Sequence, residues 1–201
     1  MDQIPPERLA TQRDRYLGYM AAALNEPIED RVHLDKNPTM TLLLPGMLRL
    51  FPETRLLIAL RDPRDVIISC FMQYLPLNTN SVCFLTLERA AKRYAHDMGV
   101  WLKLREVISA RWMEVRYEQC VMNLEDEARR ALAFLDLSWD PQVLEYRERL
   151  KGKAVGSPTY EAVGKPLYTS AIGRWKNYAK YLEPCLEILQ PYVDVFGYRA
   201  Q

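Results

Sequence analysis

Neither sign of charge dominates this 201-residue chain: 27 Lys and Arg stand against 26 Asp and Glu, for a net charge of +1. So even a balance gives no support to a whole-surface nucleic-acid or membrane binder, and any anion site must be local. There are two histidines, His33 and His96, and the sequence sets no carboxylates around them in a metal-ligand pattern. His96, between Arg93 and Asp97, takes a solvated helical position. The four cysteines, Cys70, Cys83, Cys120 and Cys185, are far apart and form no CxxC pair. Cys70 and Cys120 lie among apolar residues, which reads as buried thiols in a reducing compartment, with the cytoplasm as the expected location. No stretch is long and apolar enough to span a membrane. The opening Met-Asp-Gln-Ile-Pro-Pro-Glu-Arg lacks the layout of a signal peptide. There is no internal repeat and no low-complexity tract. The absence of G-x-x-x-x-G-K-[ST] counts against a phosphoryl-transfer enzyme such as a small kinase.

What is present suits a soluble globular core, with 49% hydrophobic and 26% charged residues. The length corresponds to a single domain, residues 1–201. Leu9, Tyr16, Leu17, Met20 and Leu24 recur at helical spacing over 6–24. Val32-His33-Leu34 reads as a short strand, Asp35-Lys36-Asn37-Pro38 as a turn, and Thr39 as the cap of a helix to about Phe51 kinked at Pro45-Gly46. The apolar run Leu56–Leu60 predicts a parallel strand covered on both faces. Asp62 suits the N-cap and Pro63 the N1 position of a helix to about Leu75. A long helix follows over about Phe84–Ile108, with the stripe Phe84, Leu87, Ala91, Tyr94, Met98, Trp101 and Ile108. Trp112–Tyr117 reads as a second covered strand, Leu124–Leu135 as a helix, and Trp139-Asp140-Pro141 as the start of a short one to about Arg149. Residues 150–166, rich in Gly, Lys, Pro and Ser, read as a mobile loop. Ser170–Lys180 and Glu183–Phe196 complete the pattern as two helices. Alternating strands and helices argue a parallel α/β sheet, with few strands for a complete doubly wound domain.

The stretch with most chemistry is Leu56 to Gln73. A buried strand ends in Arg61, the chain turns over Asp62-Pro63, and a helix begins. That places a permanent positive charge and a helix N-terminus at the carboxyl end of a strand, where open α/β sheets bind ligands. A phosphate suits the pair, because Arg offers a planar fork and the helix offers free N–H groups. A surface ion pair of Arg61 with Asp62 or Asp65 is the competing reading.

Strand–Arg61-Asp-Pro-Arg-Asp-Val-Ile-Ile-Ser69 resembles the 3′-phosphate-binding segment of sulfotransferases that use 3′-phosphoadenosine 5′-phosphosulfate. The stretches Asp35-Lys36-Asn37-Pro38, Leu50-Phe51-Pro52-Glu53-Thr54-Arg55, Val115-Arg116-Tyr117-Glu118 and Phe134-Leu135-Asp136-Leu137 follow the same family in order. So do Ser157 to Tyr168 and Ile172-Gly173-Arg174-Trp175-Lys176-Asn177-Tyr178. The order is that of tyrosylprotein sulfotransferases and of bacterial sulfotransferases joined to tetratricopeptide repeats, and the likeness covers about residues 32–198. It implies a fold like that of the P-loop NTPases, a parallel sheet flanked by helices. It also implies metal-free, in-line transfer of a sulfuryl group to a hydroxyl acceptor, a peptide tyrosine or a small alcohol, with 3′,5′-ADP as product.

By this resemblance Arg61 and Ser69 are the ligands of the donor's 3′-phosphate, and Tyr117 lies near the adenine. Lys36 approaches the bridging oxygen of the phosphosulfate, where charge grows as the sulfuryl group leaves. Thr159 stands where the family usually carries serine beside the transferring group, and Lys165 covers the nucleotide. Other readings stand beside these: an idle helix-face hydroxyl for Ser69, a core-edge aromatic for Tyr117, and solvated lysines at 36 and 165. Gly173-Arg174-Trp175-Lys176 either closes over the donor or supplies Trp175 as a core anchor.

The family's opening strand, Gly-rich phosphate loop and first helix find no counterpart before Lys36, and Gly152 to Ser157 has no apolar strand ahead of it. The family's catalytic glutamate is not matched by Glu26 or Glu29. The expectation is therefore a truncated sheet, with residues 1–31 as a helical segment, 32–201 as the family-like core, and impaired turnover. An exposed sheet edge would then invite self-association. A non-catalytic nucleotide- or protein-binding module is the alternative.

Overall fold

A computed structural model describes residues 3–28, 31–38, 40–150 and 167–199, with the side chains of 149 and 150 excepted. The described strands are β1, Leu56–Leu60, and β2, Trp112–Arg116, paired in parallel. β1 has the predicted bounds. Neither strand is covered on both faces: Ala59 and Trp112 are exposed, and Leu57, Ile58 and Met113–Arg116 are half-buried. Among the described residues each strand has one neighbour, so each is also an edge.

The helices are α1 Pro6–Leu24, α2 Leu44–Leu50, α3 Pro63–Met72, α4 Leu87–Leu104, α5 Tyr117–Met122, α6 Leu124–Phe134, α7 Tyr146–Leu150 and α8 Ala179–Val195. Single 3₁₀ turns cover Met40–Leu43, Ser81–Leu85, Pro141–Glu145 and Arg174–Tyr178. Four sequence expectations need correction. Val32-His33-Leu34 is exposed and forms no strand, because no described strand lies beside it. Pro45 does not kink a helix; it occupies the first turn of α2, where its missing N–H has no partner to lose. α3 stops at Met72, with Gln73 extended and Pro76 three residues on. The last helix is one, not two. Pro184 and Pro191 lie inside α8 on its wet side, while Leu182, Cys185, Leu189 and Val193 are buried. Thr159, Lys165 and the whole of 151–166, like Thr39, lie outside the described residues.

The chain divides into two compact units. In the first, Met1–Leu56 with Asp97–Arg111, α1 lies along α2, and Leu44, Phe51, Leu56 and Trp101 are buried. Asn25 closes α1 in the left-handed conformation at φ 52°, which Asn tolerates better than most residues. Leu24, read as part of the apolar stripe, is 52% exposed.

The second unit is Leu57–His96 with Trp112–Gln201. Its core joins Ile67 and Ile68 of α3, Ala90 and Ala91 of α4, and Leu182, Cys185 and Leu189 of α8, with Trp175 and Tyr178 packed against it. A cluster of buried charges ties this core to the β1–α3 turn. Asp62 caps α3 by accepting the Arg64 N–H at 2.9 Å, and its carboxylate takes the Arg64 guanidinium through two bonds at 2.9 and 2.7 Å. Arg64 also donates to Tyr198 O at 2.8 Å and lies 3.8 Å over the Trp175 ring. Asp65 is 1% exposed and accepts the N–H groups of Gly173 and Trp175, each at 2.8 Å. Burial pushes its carboxyl up, against the pull of those N–H groups and of Arg61. Asp65 thus serves as a remote cap for the turn at Arg174–Tyr178, whose own preceding residue, Gly173, has no side chain to do so. Gly173 is needed there for a second reason, its φ of 66°.

Replacing Asp65 by Ala leaves two inward N–H groups without an acceptor. Asp65→Ala is expected to lower stability by about 3 kcal/mol and Asp65→Asn, which keeps one acceptor, by about half that. Urea unfolding at constant pH reads the difference. A change under about 0.5 kcal/mol for Asp65→Ala, the range of ordinary surface substitutions, would refute the capping role.

Candidate functional site

The carboxyl end of β1 delivers Arg61 at the point where the strand hands over to α3. Strand and helix leave it no choice of backbone: Leu60 is buried behind it and Asp62-Pro63 start the helix ahead of it. Its Nη2 donates to Ala171 O at 2.6 Å, and its guanidinium lies 4.5 Å over the ring of Tyr117. Its Nε is buried and has no hydrogen-bond partner among the described residues. The competing reading, an ion pair with Asp62 or Asp65, does not describe this geometry: Asp62 is occupied by Arg64, and Asp65 by the Gly173 and Trp175 N–H groups. Asp65 feels Arg61 as a nearby charge only.

Tyr117 is the first residue of α5, directly after β2, rather than the last of the strand. It is half-buried. Burial pushes its phenol up, while Arg61 and Arg174 pull it down and Tyr168 and Glu118 add to the rise. Glu118 ties the two strand ends together, accepting the Asp62 N–H on Oε1 at 3.0 Å and the Tyr198 hydroxyl on Oε2 at 2.9 Å. Arg116 completes the brace, donating to Phe196 O at 2.7 Å with its guanidinium 5.1 Å from the centre of the Tyr198 ring.

Ser69 sits on α3, half-buried, one helical turn beyond Asp65 and on the same face. Lys36 belongs to the first unit, in an exposed segment without regular structure. Arg61 and Tyr117 are thus in direct contact, Ser69 lies on the helix that Arg61 introduces, and Lys36 is described within its own unit. Thr159 and Lys165 are outside the described residues. Trp175 packs against the core, as its reading as an anchor has it. Sequence reasoning missed Glu118 as the acceptor for the Asp62 N–H, and the tertiary partners of Arg64 and Asp65. One signal was available. Four charged residues in five, directly behind a buried strand, cannot all reach water.

Among the described residues no group of three His, Cys, Asp or Glu side chains could hold a metal ion. No helix among them is long and apolar enough to cross a membrane. What the Arg61 site can do is bind an anion. A buried guanidinium N–H without an acceptor is a standing donor, and an aromatic face beside it suits a flat ring.

The profile of the sulfotransferase family matches residues 3–141, which takes in α1 and the motifs up to Leu137 but not those at 157–168 and 172–178. A putative protein-tyrosine sulfotransferase of Caenorhabditis briggsae is 23% identical over 82% of this chain and 59% of its own length. The Drosophila melanogaster protein-tyrosine sulfotransferase is 26% identical over 70% of this chain and 29% of its own. An uncharacterized protein of Aquifex aeolicus is 28% identical over 72% of this chain and 19% of its own. The chain therefore spans 19–59% of the length of these relatives, less than two thirds of each. With the match to the family covering most of its residues, the chain belongs to the sulfotransferase family, near the tyrosylprotein sulfotransferases.

Proposed function

We propose that this chain binds 3′-phosphoadenosine 5′-phosphosulfate and serves transfer of its sulfuryl group to a hydroxyl, with a peptide tyrosine as the acceptor. The observation that carries the reading is Arg61: a guanidinium at the carboxyl end of β1, stacked on Tyr117, with a buried Nε that has no acceptor among the described residues. The donor's 3′-phosphate would supply that acceptor, and its adenine the partner for Tyr117. Ser69 would add an O–H donor from α3. Charge-assisted bonds of this kind are stronger than neutral ones and shape the site for a planar or tetrahedral anion. The acceptor class is supported by the relatives, whose names are those of protein-tyrosine sulfotransferases.

When bound, the phosphosulfate supplies an activated sulfuryl group whose departure leaves charge on a phosphate oxygen. Lys36 is proposed to stabilise that charge. A fixed cation aimed where charge develops lowers the barrier without tightening the ground state. Thr159 and Lys165 keep the roles that the family resemblance gives them.

Titration calorimetry with 3′,5′-ADP tests the binding half. The wild type is expected to bind and Arg61→Ala to bind about ten- to a hundredfold more weakly, the worth of a charge-assisted hydrogen bond. Failure of both proteins to bind at millimolar nucleotide would sink the proposal. The second half is tested by sulfate transfer to a tyrosine peptide. Lys36→Ala is expected to lower kcat by about a hundredfold or more, as loss of one such stabilising group does elsewhere, with 3′,5′-ADP affinity unchanged. Nucleotide binding without any transfer by the wild type would instead identify a binding module.

A further inference from the structure

α1 has no buried residue over its 19 positions. Leu9, Leu17, Met20 and Ala21 are half-buried, and two further side chains make specific contacts beside α2. Arg13 donates to Leu50 O at 3.1 Å, pairs with Glu53, and lies 4.8 Å over the Phe51 ring. Tyr16, one turn on, meets the same ring edge-on at 5.2 Å. From that anchored ring the Tyr16 hydroxyl donates to Asp35 Oδ2 at 2.5 Å. Asp35 is the residue before Lys36, in the exposed segment 31–38. Other bonds described there include the pair of Arg31 with Glu26, His33 Nε2 with Ile28 O at 3.0 Å and the Met40 N–H to Asn37 O at 3.1 Å. Burial, helped by Asp35, pushes the Tyr16 phenol up to about 12, so it stays a donor through the neutral range.

We infer that Tyr16 is a positioning residue for Lys36: anchored on Phe51, its hydroxyl holds the Asp35 carboxylate and thereby fixes the backbone from which the Lys36 side chain departs. A lysine on a flexible stem in an unpaired segment must be ordered before its charge can be used, and that ordering costs free energy at the moment of use. A hydrogen bond to a charged acceptor that is already formed removes part of the cost. The inference rests on the role proposed above for Lys36.

Two variants test it from opposite ends. Tyr16→Phe keeps the ring on Phe51 and removes the donor; Asp35→Asn removes the charge and leaves Tyr16 in place. Each is expected to raise amide hydrogen exchange in residues 31–38 about fivefold, a fair allowance for one exposed bond to a charged group, with peptides of α2 unchanged. In the transfer assay each is expected to lower kcat by a similar factor at unchanged KM for the donor, and to cost nothing further in a Lys36→Ala background. Unaltered exchange over 31–38 in both variants would overturn the inference. So would a kcat loss that adds in full to that of Lys36→Ala. If exchange rises in both variants but Lys36→Ala turns over like the wild type, it is the proposed role of Lys36 that fails, and the positioning role with it.

Discussion

A carboxylate removed from water needs donors, and the second unit is arranged around two such carboxylates. Asp62 and Asp65, 8% and 1% exposed, stand three residues apart at the start of α3. Asp62 takes the Arg64 side chain and the helix's own N–H; Asp65 takes two N–H groups from a turn more than a hundred residues later. A buried charge left without donors is among the few single defects that destabilise a domain by several kcal/mol. The segments that supply the donors are therefore held in place as firmly as the carboxylates are buried. Through these bonds the β1–α3 turn, the Gly173 turn and the Tyr198 strand of chain form one assembly, and Glu118 and Arg116 repeat the pattern from β2.

The same arrangement sorts the arginines. Arg64 is consumed: both faces of its fork and its flat surface are committed to Asp62, Tyr198 and Trp175. Arg116 is committed likewise. Arg61 is held by Ala171 O and the Tyr117 ring but keeps one buried N–H unassigned. A guanidinium positioned by its neighbours and incompletely satisfied by them is preorganised for an outside acceptor, which is what a site for an oxyanion requires. The support is built from residues that look, in sequence, like further members of the binding motif.

That distinction marks where sequence reading succeeds. β1, the Asp62 cap and Pro63 at N1 follow from strictly local rules, and local rules hold where nothing distant competes. Arg61 stood out for the same reason, as a charge at a strand's carboxyl end. The tasks of Arg64, Asp65 and Glu118 depend on partners 56 to 134 positions away. The break expected between Lys180 and Glu183 is absent, because Leu182 is buried within the continuous helix α8. Val32–Leu34 has strand-like residues but no described strand beside it, and strand character without a partner forms no sheet.

The segment Arg61–Asp65 contains two arginines and two aspartates and so sums to zero, as the whole chain nearly does. An anion approaching from a distance meets almost no field from this turn. On the proposed reading, an anion would be held at Arg61 by short-range hydrogen bonds rather than drawn in by the net charge of this turn. Such a turn gains little from long-range steering and surrenders little to added salt, and it separates one anion from another by shape rather than by charge.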